Sequence, residues 1–75
     1  MSQYIDVKEI IKGLHDRIKN RRRYLKISQE KLGEMIGASR FKVMNGEKGK
    51  AEYTLEEYLK CCIVLDIPFN CLDNE

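Results

Sequence analysis

The residues able to do chemistry are few, and their spacing excludes most catalytic roles. The chain has three cysteines, Cys61, Cys62 and Cys71, and one histidine, His15. Adjacent residues on a helix point about 100° apart, so Cys61 and Cys62 are poor ligands for one metal. No C-x-x-C is present and His15 lies far off in sequence, which excludes a zinc site and a disulfide framework. The cysteines read as small buried apolar side chains in a reducing compartment. General acid–base or nucleophilic work at His15 would need a second positioned group, and none is recognisable. No metal, cofactor or enzymatic activity is expected. The segment Gly46-Glu47-Lys48-Gly49-Lys50-Ala51 resembles the end of a phosphate-binding loop. That loop needs four residues between its glycines and a Ser or Thr after the lysine; two residues and an alanine make this a turn. What remains is cationic chemistry. Lys19, Arg21, Arg22, Arg23 and Lys26 form a dense basic run, and residues 1–50 carry thirteen Lys/Arg against six Asp/Glu. Residues 51–75 carry one against six, so the formal net charge of +2 hides a strongly basic part beside an acidic one. That asymmetry suits a protein meeting a polyanion on one side. A basic run alone is an ordinary solvated helix face, so the elements that hold it decide its meaning.

Seventy-five residues make one domain, 1–75, with a thin core. Chains this short commonly lean on disulfides, a metal or a partner chain. The longest apolar run, Cys61–Leu65, is far too short to span a membrane, and the N-terminus lacks the features of a secretory signal, so the expected location is the cytoplasm.

Periodicity reads as helix nearly throughout, with no alternating strand pattern. Val7, Ile11, Leu14, Ile18 and Leu25 keep one helical face over a first helix from Val7 to Tyr24. Asp6 and Glu9 fit a capping box, and Ile5 with Ile10 a hydrophobic staple. Ser28 is an N-cap for a short helix ending at Gly37, whose buried face would be Leu32, Met35 and Ile36. Ser39 caps a third helix from Arg40 to about Gly46. Two short helices joined at Gly37-Ala38 have the spacing of a helix-turn-helix unit. Thr54 and Glu57 form a second capping-box pattern. The fourth helix, Leu55 to Leu65, has the apolar set Leu55, Tyr58, Leu59, Cys62 and Leu65. Pro68 starts a last helical turn over Phe69–Leu72.

The run from Ser28 through Gln29-Glu30-Lys31-Leu32-Gly33-Glu34-Met35-Ile36-Gly37-Ala38-Ser39 to Arg40 resembles the core of the phage-repressor-like (Cro/XRE-type) helix-turn-helix domains. The similarity continues through Val43, Glu47–Lys50 and Thr54–Glu56 to Leu65–Phe69, roughly residues 14–72. The resemblance implies an all-α, five-helix repressor-like domain in which helices two and three form the helix-turn-helix. It implies a sequence-specific regulator of transcription, a repressor or autoregulator, that binds double-stranded DNA as a homodimer with the third helix in the major groove. On this chain Arg40, Phe41 and Asn45 take the base-reading positions. Gln29, Ser39, Lys42, Lys48 and Lys50, with Arg22 and Arg23 of the basic run, are the expected backbone contacts. Arg22 and Glu47 match a structural ion pair tying helix one to the end of helix three. Leu32, Ile36, Val43, Ile27 and Leu65 match core positions.

This chain departs from the pattern at Gly46, where a large apolar residue is usual, so the end of the recognition helix is expected to be loose. Phe41 replaces a commonly polar residue and would pack on a thymine methyl or cover the gap at Gly46. Lys26 stands where a turn glycine is common, at a strain of about 1 kcal/mol if left-handed. The first helix is about two turns longer at its N-terminus than the family minimum. Ile63, Phe69, Cys71 and Leu72 are assigned to a dimer interface, and Val7, Ile10 and Ile11 also need a cover. The alternative is a protein-interaction module on the same fold, for example an antitoxin or adaptor with a cognate protein partner and lost base reading.

Overall fold

Side-chain oxygens start the helices, and left-handed residues stop them. A computed structural model describes residues 5–68, which form α1 (Val7–Tyr24), α2 (Gln29–Ile36), α3 (Arg40–Glu47) and α4 (Leu55–Leu65). These bounds match the sequence reading, except that α3 continues to Glu47. Asp6, Ser28, Ser39 and Thr54 accept from the backbone N–H three residues on, at 3.2, 2.9, 3.1 and 3.1 Å. Each satisfies one of the donors a helix start leaves unpaired. Thr54 completes a capping box, its own N–H donating to Glu57 Oε1 at 2.9 Å. At Asp6 only half of the box forms, and Ile5 stays exposed, so the staple does not bury it.

Four of the described residues have positive φ, one after each helix: Lys26 (60°), Gly37 (73°), Gly49 (79°) and Asp66 (60°). At each, the following N–H returns to a carbonyl five residues back: Ile27 to Arg22, Ala38 to Gly33, Lys50 to Asn45, and Ile67 to Cys62, all between 2.8 and 3.0 Å. This closure uses carbonyls that the last turn would otherwise leave unpaired. Gly37 and Gly49 adopt it without strain, whereas Lys26 carries the left-handed cost expected from its sequence position.

Ile18, Leu32, Ile36, Val43, Tyr53, Cys61, Cys62, Leu65 and Ile67 form the core, with Ile27, Ala38, Tyr58 and Val64 packed against it. The described residues are all helix and connection, without a strand. The proposed fifth turn at Phe69–Leu72 lies outside them, so four helices are described. Met35, expected on the buried face of α2, is exposed, and so are Leu25, Leu55 and Leu59 from the apolar sets of the first and fourth helices. In α4 the reason is geometric. The helix packs on α1 and α2 through Cys61, Cys62 and Leu65, which turns Leu55 and Leu59 outward. Cys61 and Cys62 are buried free thiols, and burial pushes the Cys61 thiol up to about 12. No helix among the described residues is long and apolar enough to cross a membrane.

Candidate nucleic-acid interface

The close approach of α2 to the start of α3 depends on a missing side chain. A Cβ at Gly33 would lie 3.0 Å from Ala38 O and 3.0 Å from Ser39 C, so only glycine lets the turn pack this tightly. Gly37 reverses the chain and Ser39 starts α3 at once. At 100° per residue, Arg40, Phe41, Met44, Asn45 and Lys48 then share one face of α3. Arg40, Phe41 and Lys48 are exposed, and Met44 and Asn45 half-buried. Val43 and Gly46, both buried, point the other way. The Arg40 guanidinium lies 5.2 Å from the centre of the Phe41 ring, and Phe41 is 59% exposed. An arginine over an aromatic face is held by the ring quadrupole while its donors stay available.

The opposite end of α3 is locked. Arg22, 9% exposed, donates from Nε to Glu47 Oε2 at 2.7 Å and from Nη2 to Glu47 Oε1 at 3.1 Å. Its Nη1 donates to Ile27 O at 2.7 Å. Gln29 Nε2 adds a third donor to Glu47, at 2.9 Å on Oε1. The carboxylate therefore ties together α1, the start of α2 and the end of α3. A two-point guanidinium–carboxylate contact fixes orientation as well as distance.

Beside this ion pair, Tyr53 fills the space expected to be vacant at Gly46. A Cβ at Gly46 would come within 3.3 Å of the Tyr53 ring. Helix α3 is therefore not loose at Gly46: an aromatic from the α3–α4 connection occupies the space beside the glycine. Phe41 does not cover the gap, because it faces solvent. His15 holds the same corner, its ring centre 4.9 Å from that of Tyr53 and its Nδ1 3.2 Å from Gly46 O. Tyr53 N donates to His15 Nε2 over 3.5 Å. The neutral imidazole with its hydrogen on Nδ1 satisfies both contacts. Burial pushes the Tyr53 phenol well above its usual range and keeps it neutral.

The residues expected to meet the DNA backbone divide into free and committed groups. Arg23, Lys48 and Lys50 are exposed. Ser39 is exposed while its Oγ caps Lys42 N. Lys42 pairs with Glu57 at 3.0 Å, both half-buried. The Thr54 N–H and then Lys42 hold the Glu57 carboxyl below the usual carboxylate range, against the effect of burial. Arg22 is corrected from a phosphate contact to a structural residue, since its guanidinium is buried and spent on Glu47 and Ile27. Gln29 is half-buried with its amide on Glu47, so the part of this residue left to face an anion is its backbone N–H at the α2 start. Arg21, in the basic run, is likewise committed: its Nε donates to Leu65 O at 2.8 Å and closes the end of α4. Ile63 is exposed, and Phe69, Cys71 and Leu72 lie outside the described residues.

Sequence reasoning missed Gly33, Tyr53 and His15 as the groups that seat α3. The only signal was negative, a glycine at a position that should carry bulk. No family model, no curated protein and no solved structure matches this chain.

Proposed function

We propose that this chain is a sequence-specific duplex-DNA-binding regulator, with α2 and α3 as a helix-turn-helix and α3 entering the major groove. The observation that carries the reading is the two-sidedness of α3. Its inner side is fixed by Glu47, Val43 and Gly46, while Arg40, Phe41, Asn45 and Lys48 share the outer face. Arg40 offers guanine two parallel donors, Asn45 suits adenine, and Phe41 packs on a thymine methyl. Arg23, Lys48, Lys50, the Ser39 hydroxyl and the α2 N-terminus supply phosphate contacts, which set affinity and register. Two copies acting on half-sites about one helical turn apart would make a repressor or autoregulator of the cytoplasm, and the chain needs no cofactor for this.

Titrating labelled duplexes against salt tests the reading. Neutralising several phosphates makes affinity fall steeply between about 50 and 200 mM salt. Absence of duplex binding at the lowest salt would overturn it. The exposed Phe41 ring favours one rival, a protein-interaction module in which α3 meets a partner protein instead of bases. That rival predicts salt-insensitive capture of a protein partner which Phe41→Ala abolishes.

A further inference from the structure

Helix α4 turns three large apolar side chains to solvent: Leu55, Leu59 and Ile63 are 73%, 38% and 69% exposed. They stand four residues apart and so form one stripe along the helix. Its other side is spent on the core through Cys61, Cys62 and Leu65. An apolar stripe of this length on so small a domain marks an interaction surface.

The order of residues along the stripe points to the partner. An interface between two identical chains related by a two-fold axis must be self-complementary. The stripe is symmetric about Leu59, with a branched aliphatic residue one turn to either side. When two copies of α4 lie antiparallel with the axis at Leu59, Leu55 of each faces the partner's Ile63, and the two Leu59 side chains meet.

The charged flank obeys the same symmetry. Glu56 and Lys60 lie on one side of the stripe, joined at 3.0 Å within the chain. A two-fold axis perpendicular to both helices sets this flank beside the same flank of the partner. Glu56 then lies two residues, about 3 Å of helix rise, from the partner's Lys60. The seam edge would read Glu, Lys, Lys, Glu across the two chains. A parallel pairing sends the charged flanks to opposite sides and forms no such contact.

We infer that the outer face of α4 is the seam of an antiparallel homodimer, centred on Leu59 and edged by reciprocal Glu56–Lys60 contacts. This deepens the two-copy part of the proposed function. Its test uses no DNA, so the two readings fail separately.

Sedimentation equilibrium of the full chain gives the dimer dissociation constant. Ile63→Asp should raise it at least roughly tenfold. Helical circular dichroism of that variant should be unchanged, because the side chain faces solvent. Glu56→Lys and Lys60→Glu should each weaken self-association, whereas an equal mixture of the two should associate more tightly than either alone. In that mixture one chain offers two lysines to the other's two glutamates. A role within one chain cannot produce this gain. A wild-type chain that stays monomeric at millimolar concentration would overturn the inference, as would a mixture no tighter than its components. Unchanged dimerisation of Ile63→Asp would overturn it too. So would an Ile63→Asp variant of a monomeric chain that loses thermal stability, which would mean that the chain covers its own stripe.

Discussion

The two ends of α3 are built on opposite plans. At the first turn Arg40 and Phe41 face solvent, while the Ser39 cap, the Gly33 contact, buried Val43 and the Lys42–Glu57 pair hold the backbone beneath them. The last turn is held by Arg22, Gln29, His15 and Tyr53, drawn from α1, α2 and the α3–α4 connection. An eight-residue helix has no stability of its own in water, because nucleation costs more than so few bonds return. It must be positioned by packing, and packing consumes the side chains that do it. Placing every side-chain tie to α1 and α2 at the buried end leaves Arg40 and Phe41 fixed in direction but free in chemistry. The C-terminal end therefore carries stability, whereas on the proposed reading Arg40 and Phe41 at the N-terminal end lead the recognition face, and each can be broken separately.

The largest effect should come from Glu47→Ala. It leaves the Arg22 guanidinium buried without its carboxylate, and breaking a buried pair this way costs about 3–5 kcal/mol. For a domain with roughly 0.05–0.15 kcal/mol per residue, that is a large share of the total. Urea denaturation should show it directly. Arg22→Ala should fall in the same class, because it also strips the Ile27 carbonyl of its donor. Arg23→Ala, exposed, should stay within about 0.5 kcal/mol of wild type. A larger loss for Arg23→Ala than for Arg22→Ala would remove the ion pair from its place in the comparison.

Gly46→Ala comes next. The new methyl would sit 3.3 Å from the Tyr53 ring, so the ring must shift or α3 must tilt. Overpacking of this kind costs about 1–3 kcal/mol, and alanine's better helix propensity inside α3 returns about 1 kcal/mol, so a net loss of up to about 2 kcal/mol is expected. If thermal melting shows Gly46→Ala stabilised by the full helix-propensity difference of about 1 kcal/mol, Tyr53 is not the plug that replaces the missing side chain. Lys26→Gly acts the other way. Relieving the left-handed strain at φ 60°, less glycine's extra entropy when unfolded, should gain up to about 1 kcal/mol without touching either end of α3.

What was legible in the sequence was local. Ser28, Ser39 and Thr54 announce helix starts through their own oxygens, and Gly37 announces a stop through its permitted dihedral angles, so the helix bounds follow from neighbours in sequence. The Arg22–Glu47 pair is different. Nothing in the spacing of an arginine and a glutamate twenty-five residues apart selects one another, and the expectation came from resemblance. Tyr53 was illegible for the same physical reason. Its partner is a glycine, which signals an absence, and the approach of a connecting segment to a helix is set by the whole packing. In α4 the periodicity itself was ambiguous. Leu55, Leu59 and Ile63 form one apolar face and Cys61, Cys62 and Leu65 another, and amphipathicity cannot choose between two apolar faces. Leu55 and Leu59 share one apolar set with Cys62 and Leu65 in the sequence, yet only the latter two enter the core.

The smallest effect on stability should be the largest on recognition. Arg40→Ala removes an exposed side chain that, among the described residues, lies against the Phe41 ring alone, so urea denaturation should place it within about 0.5 kcal/mol of wild type. On the proposed reading it also removes a two-donor guanine contact, so discrimination at one base position should fall by about 1–3 kcal/mol. Lys48→Ala should instead weaken binding to every duplex alike and lower the salt slope by about one. Parallel binding curves on an optimal and a singly substituted duplex separate the two outcomes. If Arg40→Ala unfolded the domain as Glu47→Ala should, the first turn of α3 would be carrying structure, and the division between its two ends would collapse. If it weakened all duplexes equally, the division would survive, but the exposed end would be gripping phosphate instead of reading bases.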